Sequence, residues 1–135
     1  MFLTSDQIAE LVPFTGFVGV EFVEISRDRV VGSLAVTHER STIGGALHGG
    51  AQMTLADSVA ATLATLNLPD GATGTVTVDS HTHFLGSARS GVVTASARTL
   101  HVGRTTIVLE VDLTNDVGKL IARTTQVQAV LGPKP

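Results

Sequence analysis

Cysteine, tryptophan and tyrosine are all absent from this chain of 135 residues. Without cysteine there is no disulfide framework, no thiolate nucleophile and no thiolate-ligated metal site. Phenylalanine, at five residues, is the only aromatic, so stacking platforms for bases or sugars are scarce. Charge is sparse too. Nine Lys and Arg stand against twelve Asp and Glu, a formal charge of −3 with no basic block, which argues against a nucleic-acid binder. Neither of the glycine patterns that cradle phosphates or dinucleotides is present, and there is no G-x-S-x-G nucleophile elbow. A long apolar run is missing as well. The low-charge stretch 41–68 is broken by glycines, His48 and Asp57, and the first residues carry Asp6 and Glu10 where a secretory signal needs an apolar segment. The expectation is a cytoplasmic protein with no membrane partner.

What is present is apolar. Hydrophobic residues make up 43 % and mean hydropathy is +0.33, which excludes a disordered chain. The length suits one domain over 1–135. With only 16 % charged residues, that surface is expected to be covered in part by a second copy of the chain.

Thr4 or Ser5 can cap a short helix to about Val12, and Pro13 discourages its continuation. Segments 19–25 and 30–36 read as two strands around the polar turn 26–29, with a glycine-bearing loop over 37–45. Segment 46–66, rich in Ala, Leu and Met, reads as one long helix, and Leu68-Pro69-Asp70-Gly71 as a turn. Four Val/Thr-rich runs follow over 73–85, 92–102, 105–115 and 119–130, and their three connections suggest sequential antiparallel pairing. The fold class expected is α+β, a curved antiparallel sheet wrapped around one long central helix.

From Ala51 to Leu68 the only ionisable side chain is Asp57, and its helical neighbours Met53, Thr54, Ala60 and Ala61 cannot pair with it. If the sheet encloses this helix, the carboxylate is partly desolvated at a cost in stability, as functional acids often are. The alternative is a structural acid on a solvated stripe. At the helix start, His48-Gly49-Gly50 offers unpaired N–H groups at the positive end of the dipole, suited to stabilising negative charge on a carbonyl oxygen. Gly49 and Asp57 are eight residues apart, about 12 Å along a helix axis. A single reacting carbon cannot touch both, so a site that uses both draws on two chains with antiparallel helices.

The run Gly45-Ala46-Leu47-His48-Gly49-Gly50-Ala51 followed by Leu55-Ala56-Asp57 resembles the signature of hotdog-fold acyl-CoA thioesterases, and is most similar to their phenylacetate-degradation branch. Thr77-Val78-Asp79 with Phe84-Leu85, then His101-Val102-Gly103-Arg104-Thr105, then 111–115 with 118–122, extend the resemblance over roughly 15–130. It implies the hotdog fold, assembled as homodimers and commonly as dimers of dimers. It implies hydrolysis of an acyl-CoA thioester, with no cofactor because coenzyme A is part of the substrate. Asp57 then carries the catalytic carboxylate, as general base or nucleophile. Gly49 supplies the N–H that polarises the thioester carbonyl, His48 supports the loop, and Thr77 helps place the attacking water. His101, Val102, Gly103, Arg104, Thr105 and Thr106, with Phe84, fall where relatives hold coenzyme A. Relatives often carry Asn or Gln six residues before the His. Here that position is Thr42, whose shorter hydroxyl donates only one hydrogen bond.

Other signals weigh less. His81 and His83 share a strand face and could join His38 or His101 at a zinc ion, but scattered His without a tight motif leaves no metal site expected. Arg104, Arg123 and Lys119 are candidates for the coenzyme phosphates, and Phe14, Phe17, Phe22, Met53 and Leu55 for an acyl pocket. The competing function is a non-catalytic acyl-CoA binding module.

Overall fold

A computed structural model describes residues 3–133. Helix α1 (Ser5–Leu11) starts at a reciprocal capping box. The Thr4 hydroxyl accepts the Gln7 N–H at 3.2 Å and the Gln7 side chain accepts the Thr4 N–H at 2.9 Å. Pro13 ends α1 as expected, but it also opens a second helix, α2 (Pro13–Val18), at a first-turn position where its missing N–H costs nothing. Gly19, at φ 93°, turns the chain, so strand β1 begins at Glu21 and not at 19.

Strands β1 (Glu21–Ile25), β2 (Val30–Ala35), β3 (Gly74–Phe84), β4 (Val92–Val102), β5 (Thr106–Thr114) and β6 (Leu120–Leu131) form one antiparallel sheet in the order β1-β2-β4-β5-β6-β3. Sequential pairing holds for β1–β2, β4–β5 and β5–β6. It fails at β3, which lies at the edge beside β6. The reason is chemical. The inward side chains of β3 are polar, and β6 supplies matching partners: Thr75 meets Gln128, Ser80 meets Gln126 and Thr82 meets Thr124. The glycine-bearing segment after β3 is therefore a crossover and not a hairpin. Leu85 and Gly86 donate to the Ile121 carbonyl, and Leu47 donates to the Ala88 carbonyl.

Helix α3 (Gly49–Leu66) lies in the concave face. Leu55, Ala56, Val59, Ala60, Leu63 and Ala64 are fully buried against inward residues of β2, β4, β5 and β6, among them Leu34, Ala95, Leu109 and Ile121. Burying each large aliphatic side chain is worth roughly 1.5–3 kcal/mol before chain entropy is charged. The helix starts three residues later than the composition suggests, because Leu47 is bridged to Ser41 and the His48 N–H donates to the Arg40 carbonyl at 2.8 Å. Gly32 marks the closest approach of sheet to helix. A Cβ there would stand 2.7 Å from Val59 Cγ1 and 3.3 Å from the Glu21 carbonyl. Gly32→Ala is expected to destabilise the chain by about 1–3 kcal/mol through overpacking, read from urea unfolding midpoints. Among the described residues no helix is long and apolar enough to cross a membrane.

Candidate active site

No helical neighbour can partner Asp57, and the structure finds its partners on the sheet. Thr77 Oγ1 on β3 donates to Asp57 Oδ1 at 3.3 Å, and Gln126 Nε2 on β6 donates to the same oxygen at 2.8 Å. Gln126 Nε2 also donates to Thr77 Oγ1 at 3.0 Å, and Gln128 Nε2 does so at 2.6 Å. Thr124, Gln126 and Gln128 are buried. Along the outer side of α3, Thr54, Ser58, Thr62 and Thr65 each return their hydroxyl to the carbonyl four residues back, so Asp57 stands as the one acid among self-satisfied hydroxyls. The expected enclosure by the chain's own sheet is not met. β3 and β6 reach only the Oδ1 side of the carboxylate, and Asp57 is exposed in a single chain.

The sequence reading missed Gln126 and Gln128. The available signal was the alternation of Thr124, Gln126 and Gln128 in a strand whose other face carries Arg123 and Thr125. With polar groups on both faces, the inward set does not stand out by period alone.

A second group gathers at the start of α3. His48 Nδ1 accepts the Gly50 N–H at 2.9 Å, a side-chain cap that fixes the imidazole beside the backbone. No hydrogen bond engages the Gly49 N–H among the described residues. The Phe84 ring lies over Gly49, where a Cβ would stand 3.2 Å from Phe84 Cζ. Phe84 thus stands with Gly49 of its own chain. Thr42 lies in the loop before the helix. Its N–H donates to the Ala46 carbonyl at 2.8 Å, and its side chain is exposed.

The third group lies at the opposite end of the sheet. Val102 ends β4, Gly103, Arg104 and Thr105 turn the chain, and Thr106 begins β5. The Gly103 N–H donates to the Thr106 carbonyl at 2.9 Å, and His101 folds over Gly103. Thr106 pairs with Ala129, near the Gly74 end of β3, whereas Phe84 pairs with Ala122. Ten strand residues separate Gly74 from Phe84, about 30 Å. One chain therefore unites Asp57 with Thr77, and Gly49 with His48 and Phe84. Thr77 pairs with Gln128, which pairs with Ile107 beside Thr106, so the Asp57 pair stands level with the hairpin, about 10 Å away across two strand spacings, whereas the Gly49 group lies at the far end of the sheet.

Cavities line the outer side of α3 on both sides of Asp57. One of about 290 Å³ runs between α1, α2 and α3, lined by Ile8, Leu11, Val12, Ala61, Thr62 and Asp57. Another of about 290 Å³ is lined by Phe14, Met53, Thr54, Asp57 and Ser80. A larger hollow of about 650 Å³ holds Phe14, Phe17, Arg40, His48 and Gly50. Of the apolar residues expected in a pocket, Phe14, Phe17 and Met53 line these spaces. Leu55 is fully buried core because it faces the sheet, and Phe22 packs against that core from β1.

The charged candidates sit elsewhere. Arg123 donates to Asp112 at 2.7 Å on the outer face of the sheet, within a ladder that includes Arg98 and Glu110, so its charge is already matched. The Arg123 hydrogen bond holds the Asp112 carboxyl below the usual carboxylate range. His81 Nδ1 lies 3.2 Å from Asp79 and its ring is edge-on to His83. Among the described residues no group of three or more His, Asp or Glu is placed to hold a metal ion.

The family model of the thioesterase superfamily matches residues 44–122, the span that carries the helix start, Asp57 and Thr77. A 1,4-dihydroxy-2-naphthoyl-CoA hydrolase of Listeria monocytogenes is 31 % identical over 105 residues, covering 77 % of this chain and 84 % of that one. A thioesterase crystal structure from Haemophilus influenzae superposes with a TM-score of 0.88 at 25 % identity, over 98 % of this chain and 93 % of that one. A hypothetical thioesterase protein of Streptococcus pneumoniae, determined with coenzyme A, gives a TM-score of 0.75 at 28 % identity, over 86 % of this chain and 88 % of the other. A six-stranded antiparallel sheet around one long helix, and a superfamily match over more than half its length, make this chain a hotdog-fold member of the thioesterase superfamily.

Proposed function

We propose that the chain hydrolyses acyl-CoA thioesters to the free acid and coenzyme A, with Asp57 as the acting carboxylate. The observation that carries this reading is the setting of Asp57: the one acid in the outer stripe of α3, held at Oδ1 by Thr77 and Gln126 and lining two apolar cavities. A relative that acts on a CoA thioester and a neighbour determined with coenzyme A support the substrate class.

In the reaction, Asp57 takes a proton from water as that water adds to the thioester carbon, or adds to the carbon itself before water releases the acid. The carbon–sulfur bond breaks, and the departing thiolate takes up a proton, from the Asp57 carboxyl in the base route or from the hydrolysing water in the nucleophile route, to leave as coenzyme A. The carbonyl oxygen, where negative charge develops, is met by the unengaged N–H of Gly49 at the positive end of α3. That N–H comes from a second copy, since about 12 Å of helix separates the two groups within one chain. The exposed apolar side chains along β3, Val76 and Val78, and beside it Leu85, favour such an assembly. His48 fixes the loop, Thr42 lies in that loop, and the hairpin from His101 to Thr106 is the candidate hold for the nucleotide.

The test is thiol release from aromatic, short, medium and long acyl-CoAs. Turnover of at least one class is expected. Binding to the panel without release on any member would replace the hydrolase with a non-catalytic acyl-CoA module.

A further inference from the structure

We propose that Gln126 is the positioning residue of Asp57, pinning Oδ1 so that Oδ2 is the oxygen that acts. The proposal rests on the hydrolase reading for what Asp57 does. What Gln126 does to Asp57 is argued from the hydrogen bonds alone.

Gln126 is fully buried, and every polar atom of its side chain is engaged. Nε2 carries two hydrogens, and its two acceptors are Asp57 Oδ1 at 2.8 Å and Thr77 Oγ1 at 3.0 Å. Oε1 accepts from Ser80 Oγ at 3.3 Å. This fixes which way the amide faces. Flipped, it would set a carbonyl oxygen against a carboxylate and lose the Ser80 donor.

The direction of the Thr77 hydroxyl follows. Thr77 Oγ1 receives N–H groups from both Gln126 and Gln128, the latter at 2.6 Å, and these fill its two lone pairs. Its one hydrogen can then only be given away, and Asp57 Oδ1 lies 3.3 Å off. Thr75 Oγ1 stands 3.1 Å from Gln128 Oε1 and 3.0 Å from the Ala129 carbonyl, and its one hydrogen is divided between these two acceptors. Two donors therefore converge on Oδ1. No hydrogen bond is made to Oδ2 among the described residues. No other titratable side chain lines either cavity at Asp57, from α1, α2, α3 or β3, and the β6 groups facing it are amides and a hydroxyl.

Holding a carboxylate at one oxygen sets the angle of the other, and an error of about 1 Å at a reacting atom can cost about 10²-fold in rate. Gln126→Met keeps the length of the side chain and removes both N–H groups. It is expected to lower kcat on the acyl-CoA turned over best by about 10- to 100-fold, with KM within about threefold. Gln126→Glu sets a second carboxyl against Asp57. The two then share a proton at neutral pH, and the acid limb of the kcat profile moves up by at least about one pH unit. The limb reads the contact between the two side chains, and the loss of kcat at unchanged KM in the Met variant reads the positioning, since a residue that serves only the fold would leave kcat per folded molecule near wild type.

Far-UV circular dichroism reads whether each variant folds. If only one folds, that one decides: Met by the split between kcat and KM, Glu by the limb. A Met variant with kcat within twofold of wild type, or a Glu variant with an unmoved limb, overturns the proposal. Failure of both to fold assigns Gln126 to the core and overturns it too. Full activity in Asp57→Asn would instead remove the hydrolase role of Asp57, which separates failure of that reading from failure of this one.

Discussion

Asp57→Asn is expected to cut kcat for acyl-CoA hydrolysis by at least about 10²-fold while the protein stays folded. The substitution changes one atom. The Asn carbonyl oxygen can still accept from Gln126 and Thr77 at the place of Oδ1, so the seam between α3, β3 and β6 keeps its hydrogen bonds. What is lost is the second oxygen, the one that accepts no hydrogen bond among the described residues. An amide nitrogen there is neither base nor nucleophile toward a thioester. Steady-state thiol release with matched thermal melts of both proteins checks this. An Asn variant that turns over within a few-fold of wild type would move the chemistry away from Asp57, the one acid lining the two cavities beside it.

The second large effect is expected at the other end of α3 and carries the oligomer with it. Gly49→Pro removes the backbone N–H assigned to the developing oxyanion, and loss of one such donor typically costs about 10²–10³ in rate. The structure makes this variant practical. Gly49 is the first residue of α3, where proline is well tolerated, and His48 before it is at φ −59° and ψ 137°, the extended region that a following proline prefers. The Phe84 ring over Gly49 is half-exposed and free to give way.

If each site joins Asp57 of one chain to Gly49 of the other, the two defects complement. Mixing Asp57→Asn with Gly49→Pro under subunit exchange forms dimers in which one of the two sites is intact. Random exchange makes about half the dimers mixed, so about a quarter of wild-type activity returns. No recovery, with exchange shown by a mass-tagged subunit, would place both groups of a working site in one chain. Sedimentation of the wild type as a dimer or larger at micromolar concentration is part of the same expectation.

Much of the fold is legible in the residues themselves. Thr4 with Gln7, the polar turn before Val30, the Ala-rich helix and the glycine of the 103–105 turn are local signals, because caps, turns and periodicity depend on neighbours a few positions away. The candidate acid was legible for the same reason. Asp57 is conspicuous in a helix that otherwise carries no charge.

What lay beyond reach is non-local. The place of β3 beside β6 is set by the match of Thr75, Ser80 and Thr82 to Gln128, Gln126 and Thr124, pairs more than forty positions apart. Gln126, 69 positions from Asp57, gives no sign of itself in a strand that is polar on both faces. The sequence alone determined which elements form and which residue is the odd charge among them, since both follow from short-range spacing. Only the tertiary structure decided what grips that charge and which side of the helix it occupies. Hydrogen bonds between distant strands depend on register, and register is set when the whole sheet closes around α3.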